Sequence, residues 1–486
     1  MTIRLRFAPS PTGYLHVGGA RSALYNWLFA KSQGGTFILR SDDTDAERNK
    51  DEYRHDIVES LRWLGINWEE GVEVGGPHGS YRQSDRGDRY REVVATLIAS
   101  GAAYYSFETA EILEEFSREA RSRGFAPAYD GRYRVDSREA AERIAAGESA
   151  PVRFSVPRPG VTTFQDSIRG NLEFDHSQID DFVILRSDGT PTYHLANTVD
   201  DIDYAITHVV RGEDLLSSTP KHILLAQTIG ATVPVYAHLS LLLGPDGSKL
   251  SKRHGDTAVQ AFRDAGYLPE ALRNYIAILG WSVGKDEEII PVNEMVQRFD
   301  LSSLSRNPAV FDTVKLEWMS GLYMRVLDSK QFVQRSLIWI EEDLGRALDE
   351  SELEIYRTIA PLVQERSKVF ANVPSQVRFL FVEVDWDRAA WQKIMSKEGV
   401  AMVLESALRG LTGLELWTAK RIEALCRSTV AELGLSAKKV FQPLRVAVTG
   451  SSVSPPLFES IEALGRERSL DRLKGALDKL VVGDPD

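Results

Sequence analysis

Apolar positions along residues 1–86 switch between two periods. Arg4 to Ala8 reads as a strand, and Val17, Ala20, Leu24, Trp27 and Leu28 then mark one face of a helix. Thr36-Phe37-Ile38-Leu39-Arg40 predicts a second strand, which runs into the acidic turn Asp42-Asp43-Thr44-Asp45. A further helix is expected from about Asp51 to Leu64. This strand–helix–strand order predicts a parallel sheet with ligand sites at the carboxyl ends of its strands. Ser10, His16 and Asp42 fall at such ends.

From about Tyr104 to Thr190 the pattern changes. A charged helical stretch, Glu111 to Arg123, precedes short β-like runs such as Val152 to Val156, punctuated by Pro157, Pro159 and Gly160. An inserted α+β domain is expected there. Asp181 to Leu185 and His208 to Asp214 resume the α/β pattern. Beyond Pro269 almost everything reads as helix, with Val400, Val403, Leu404, Ala407, Leu408 and Leu411 in helical register and Leu470, Leu473, Leu477 and Leu480 likewise. Pro374, the region of Pro443 and Ser454-Pro455-Pro456 are expected to separate helical bundles.

Composition narrows the class. With 486 residues the chain needs several domains, and 43% hydrophobic against 26% charged residues fits a globular protein. No apolar run approaches a membrane span, and the first residues lack the apolar region of a signal peptide, so a cytoplasmic enzyme is expected. The single cysteine, Cys426, excludes an intrachain disulfide and a thiolate-rich zinc site, and its helical neighbours mark it as a core thiol. A net charge of −12 decides nothing about nucleic acid, because basic residues gather locally at Lys420-Arg421, Lys438-Lys439, Arg445 and Arg466 to Lys474.

The chemistry is concentrated in Arg6-Phe7-Ala8-Pro9-Ser10-Pro11-Thr12-Gly13-Tyr14-Leu15-His16-Val17-Gly18. A strand enters a small-residue turn and a His-x-Gly opens a helix, which supplies unpaired N–H groups and a positive dipole end for phosphate. His16 can donate to an α-phosphate oxygen as charge builds, and Gly18 leaves a flat opening for adenine. Far downstream, Gly247-Ser248-Lys249-Leu250-Ser251-Lys252 offers two mobile ammonium groups suited to a leaving pyrophosphate. Each segment is weak alone. Their order around an insertion points to an ATP-dependent adenylating enzyme.

These motifs resemble those of bacterial glutamyl-tRNA synthetases, which are class I aminoacyl-tRNA synthetases. The resemblance spans nearly the whole chain and includes Asp43-Thr44-Asp45, Gly75 to Gly79, Tyr129 to Arg132, Pro191 to Asn197, Asp200-Asp201, Arg211 to Asp214, Phe311-Asp312 and Gln442 to Arg445. It implies a Rossmann-like catalytic domain at 1–86 and 197–241, an inserted acceptor-binding domain at 87–196 and a stem-contact region with the lysine loop at 242–328. All-α anticodon-binding domains would occupy 329–378 and 379–486. It implies ATP with Mg2+, L-glutamate and glutamate tRNA as partners, and a monomer. His16, Lys249 and Lys252 would be catalytic. ATP would meet Thr12, His16, Gly18, Asp214, Leu242, Lys249 and Lys252. Glutamate would meet Arg6, Ala8, Ser10, Asp42, Tyr193, Asn197 and Arg211, with Arg6 or Arg211 selecting its side-chain carboxylate. Arg366 and Arg445 would contact the anticodon.

Three features depart from the family pattern. Asp42 stands where relatives usually carry glutamate, one methylene longer, for the substrate ammonium. Leu215 replaces a tryptophan found in some relatives. Ser106, Glu108, Tyr133 and Val135 occupy the zinc-ligand positions of some members and cannot form that site. Two alternatives stay open: a non-discriminating enzyme that also glutamylates glutamine tRNA, and a noncatalytic tRNA-binding paralogue.

Overall fold

The computed structural model describes residues 2–45, 47–122, 128–282, 284 and 287–482. The chain divides into two compact units, one of residues 1–263 and 272–313 and the other of residues 264–271 and 314–486. The span 242–328 contributes to both.

The first unit is built on a seven-stranded sheet. Its order is Glu70–Gly71, Thr36–Leu39, Arg4–Phe7, His208–Gly212, Val235–Leu239, Val161–Asp166 and Gly170–Asp175. Neighbouring strands are parallel except the last pair, a hairpin. The hairpin lies within the expected insertion 87–196 yet extends the main sheet, with Asp166 opposite Tyr236. A separate antiparallel sheet of Ala103–Tyr105, Val152–Phe154 and Val183–Leu185 accounts for the other β-like runs of that span.

Strand Arg4–Phe7 leads directly into the helix Val17–Ser32, whose Val17, Ala20, Ala23, Leu24 and Leu28 are buried. The chain moves outward from Arg4–Phe7 in one direction, and the second half, from His208–Gly212, moves outward in the other. The crevice at the carboxyl ends of these two neighbouring strands is therefore a topological switch point, where open α/β sheets bind ligands.

The second unit is helical and has one continuous core, running from Met324 and Phe332 through Val377, Leu404 and Cys426 to Leu473 and Ala476. The two expected anticodon domains thus share apolar packing. Pro443 does not separate bundles: it lies inside the helix Ala437–Thr449, buried in that core. Burial of its ring offsets the helix-breaking tendency that marked it in the sequence. Burial also pushes the Cys426 thiol up to about 12, as suits a core residue.

Candidate active site

Two adjoining pockets open at the switch point. The larger, about 850 Å³, is lined by Thr12, His16, Gly18, Asp214, Leu242 and Lys249 together with Tyr14, Tyr53 and Asp256. The smaller, about 140 Å³, is lined by Arg6, Ala8, Tyr193, Asn197, Arg211 and Leu215. Both include Ser22 and Gly212, so their contents would be neighbours.

The larger pocket is prepared for anions. His16 caps the helix Val17–Ser32, its Nδ1 accepting the Gly19 N–H at 3.1 Å. Desolvation by the pocket walls, then the Lys249 ammonium, hold the imidazole below its ordinary value. A neutral ring whose Nδ1 accepts must carry its proton on Nε2, which leaves that N–H free to donate. No acidic side chain of the helix's own first turn offsets its positive end. Gly18 leaves the His16 ring its place: a Cβ there would stand 3.1 Å from the ring, which would have to shift by a few tenths of an ångström.

The lysine loop is a tight hairpin. Gly244 N–H donates to the Ser248 carbonyl at 2.8 Å, and Gly247 turns at a φ of 75° that favours glycine. His254 fastens it, with Nε2 3.0 Å from Asp246 Oδ1 and Nδ1 accepting the Ser251 N–H at 3.1 Å. The Lys249 ammonium is exposed and 3.6 Å from Asp214 Oδ2. Lys252 opens the turn Lys252–His254, and its side chain lies outside the described residues. Leu242 is buried, and its carbonyl already accepts the Leu250 N–H at 2.9 Å.

The smaller pocket has two guanidinium groups in its wall, Arg6 and Arg211. Arg6 donates through Nε and Nη2 to Asp201 at 3.0 and 3.2 Å. Arg211 behaves differently: its contacts are the Tyr193 hydroxyl (3.1 Å), the Leu215 carbonyl (3.2 Å), the Thr219 hydroxyl (2.8 Å), His222 and His238. Among the described residues no carboxylate pairs with it, although it is 5% exposed. Leu215 therefore serves through its backbone, which any residue there would supply. Asn197 adds a buried Oδ1 that finds no partner, its amide Nδ2 being turned 3.4 Å from Asp42 Oδ2.

Two expected glutamate contacts are placed elsewhere. Ser10 is exposed and outside the lining of both pockets. Asp42 sits behind Asn197, its two oxygens accepting from Arg40 Nε at 2.6 Å and Nη2 at 3.1 Å. Arg40 is fully buried and needs that carboxylate, which the family resemblance had assigned to a substrate ammonium. Burial pushes the Asp42 carboxyl above its usual range despite Arg40. Asp201 is also buried, but Arg6 and Arg40 together outweigh that and hold it below the carboxylate range.

Sequence reasoning assigned no role to Arg40, Asp201, His222, His238 or Asp166. Asp200-Asp201 was visible as a motif, but its partners Arg6, Arg40 and Arg86 lie far away in sequence. The positions matching a zinc site hold a polar network instead: Glu108 accepts from Ser106 and Tyr129, and Arg153 Nε donates to Ser106 Oγ at 2.9 Å. In the helical unit, Arg366 and Arg445 converge on the Ser454 carbonyl, at 3.4 and 3.2 Å.

Residues 2–318 match the family described as tRNA synthetases class I (E and Q), catalytic domain, and residues 331–477 match an anticodon binding domain. Glutamate–tRNA ligase 2 of Rubrobacter xylanophilus is 44% identical, over 98% of this chain and 97% of its own length. Glutamate–tRNA ligase 1 of Caldanaerobacter subterraneus is 43% identical, with coverage of 98% and 97%. A crystal structure of a glutamate tRNA ligase from Elizabethkingia meningosepticum, in complex with its amino acid, superposes with a TM-score of 0.85 at 32% identity, covering 99% of this chain and 100% of that one. The pockets at the switch point and these full-length similarities agree, and the chain belongs to the class I tRNA synthetases of the glutamate and glutamine type.

Proposed function

We propose that this protein attaches L-glutamate to the 3′ end of glutamate tRNA, using ATP and a glutamyl-adenylate intermediate. One observation carries the choice of amino acid: Arg211 is a buried guanidinium without a carboxylate partner among the described residues, on the wall of a pocket sized for a small molecule. A buried, uncompensated cation favours an anionic side chain over a neutral amide. The unpaired Asn197 Oδ1 is a fitting acceptor for the substrate ammonium.

In the first step an oxygen of the substrate α-carboxylate attacks the α-phosphorus of ATP, and the bond to the β-phosphate oxygen breaks. Pyrophosphate leaves. His16 Nε2–H donates to the α-phosphate oxygens as their charge grows, and Lys249 and Lys252 neutralise the leaving group. Mg2+ enters with the ATP phosphates as part of the substrate. In the second step a hydroxyl of the terminal tRNA adenosine attacks the activated carbonyl, AMP leaves and the hydroxyl proton is lost. Thr12, Gly18, Asp214 and Leu242 surround the nucleotide, and Arg6, Ala8, Tyr193 and Arg211 surround the glutamate. Arg366 and Arg445, which meet on one carbonyl, would read anticodon bases through guanidinium donors. The family resemblance supports a monomeric, cytoplasmic enzyme.

The test is tRNA-dependent pyrophosphate exchange with glutamate, glutamine and aspartate, followed by charging of purified glutamate and glutamine tRNAs. Exchange with glutamate and transfer to glutamate tRNA are expected. Preferential exchange with glutamine would overturn the assignment. Arg211→Gln should raise the glutamate KM about 10- to 100-fold, the worth of a charge-assisted pair.

A further inference from the structure

Arg211 is held in place by uncharged groups. Its Nε–H donates to His238 Nε2 at 3.2 Å, and its Nη1 is 3.3 Å from His222 Nδ1. Its Nη2 donates to Thr219 Oγ1 at 2.8 Å. Each imidazole has its acceptor nitrogen fixed from behind. His238 Nδ1 is 2.7 Å from Asp166 Oδ2, and that carboxylate also accepts the Ile168 and Arg169 N–H groups at 2.9 and 2.8 Å. The proton of His238 therefore sits on Nδ1, and the lone pair on Nε2 faces Arg211. His222 Nε2 is 3.2 Å from His194 Nδ1, which lets His222 donate there and accept from Arg211 at Nδ1. His222 and His238 are buried, at 2% and 0% exposure. Burial, aided by Arg211, holds both imidazoles below their ordinary value, and so keeps them uncharged.

A carboxylate in either position would bind the guanidinium more tightly. It would also neutralise it, and the pocket would lose its reason to prefer an acid over an amide. Arg6 illustrates the contrast, since Asp201 already takes two of its N–H groups.

We infer that His222 and His238 are positioning residues that lock the Arg211 guanidinium through neutral acceptors, so that its charge stays uncompensated until a substrate carboxylate enters. This rests on the reading of Arg211 given above. Glutamate completes the site with an ion pair. Glutamine fills the same volume and leaves the cation buried and unpaired, so discrimination comes from what surrounds Arg211 as much as from Arg211 itself.

The decisive comparison is His222→Asp against His222→Asn, which are equal in shape and differ by one charge. In tRNA-dependent pyrophosphate exchange, the glutamate KM of the Asp variant should exceed that of the Asn variant by about tenfold or more. The ATP KM should be equal in the two, and the preference for glutamate over glutamine should shrink in the Asp variant. Equal glutamate KM values would overturn the inference, because a merely structural role cannot distinguish the two side chains by charge. If His222→Asp gives no folded protein, Thr219→Asp against Thr219→Asn repeats the comparison at Nη2 with the same expected and overturning outcomes. Arg211→Gln keeps the two readings apart. An unchanged glutamate KM there would sink the assignment of Arg211, whereas a raised one with equal Asp and Asn variants would sink only the role of the histidines.

Discussion

Arg40 has no exposed surface and lies among three carboxylates, Asp42, Asp201 and, at 3.7 Å, Asp200. A guanidinium in that position is tolerable only if carboxylates stay in contact with it, and Asp201, held below the carboxylate range, keeps its charge there. Asp42→Asn should therefore act on stability before it acts on catalysis. A cost of about 3 kcal/mol is expected in urea unfolding, the lower end for breaking a buried pair, because Asp201 remains bonded. The glutamate KM should change less than in Arg211→Gln. A tenfold KM rise with unchanged stability would instead place Asp42 against the substrate. The position of Asp42 at a strand end was legible in the sequence, and so was its membership of an acidic turn. Its partner was not, because Arg40 also stands at that strand end, and nothing local shows which of the two turns inward. The pocket residues Arg6, Tyr193, Asn197 and Arg211 were legible through ordered motifs. The histidines behind Arg211 were not, since Asp166, Thr219, His222 and His238 come from a hairpin, a helix and a strand whose adjacency only the sheet order creates.

Elements were read from the sequence more securely than their boundaries or their neighbours. The helix Val17–Ser32 and the strands Arg4–Phe7 and Thr36–Leu39 follow the apolar periods closely, because one face of each is buried against the same sheet. The hairpin Val161–Asp166 and Gly170–Asp175 was foreseen as part of an insertion, and no period in its own residues reports that it would join the main sheet. Gly450 has a role that no local sequence pattern announces and the fold supplies. Gly450 ends the helix Ala437–Thr449 at a φ of 77°, and a Cβ there would stand 2.3 Å from the Asp385 carbonyl oxygen. Its own carbonyl accepts the Asp387 N–H at 2.8 Å, so the turn cannot swing away without losing that bond. Gly450→Ala should cost the helical unit about 2 kcal/mol or more, from the left-handed backbone and the clash together. Urea unfolding followed by tryptophan fluorescence would report it, through Trp386, whose Nε1 donates to the Ala447 carbonyl at 3.2 Å. A loss below about 0.5 kcal/mol would show that the segment around Asp385 yields freely.

Over the whole molecule, the sheet unit keeps several histidines uncharged. Burial pushes His194 down to about 4, holds His222 well below the imidazole range, and lowers His208 and His238, while desolvation and Lys249 lower His16. The unfolded chain would protonate all of them near pH 6.5. Between that pH and about 4 the folded protein thus binds fewer protons than the unfolded one, so its stability falls as the pH drops through this window. Asp42 and Asp200 work in the opposite sense. Burial raises both, Asp200 to about 6, so protonating them on acidification relieves the folded state. The histidines are more numerous, and the net slope should favour unfolding in acid. His194 isolates the effect, because it is half-buried and reaches Arg211 through His222 and Tyr193 rather than directly. Thermal unfolding of the protein and of His194→Asn, followed from pH 7.5 to pH 4.5, should show the variant losing less stability across the window. Parallel curves would mean that His194 is protonated in the folded state, and the hydrogen-bonded line from His194 through His222 to Arg211 would then have to carry a charge at its outer end.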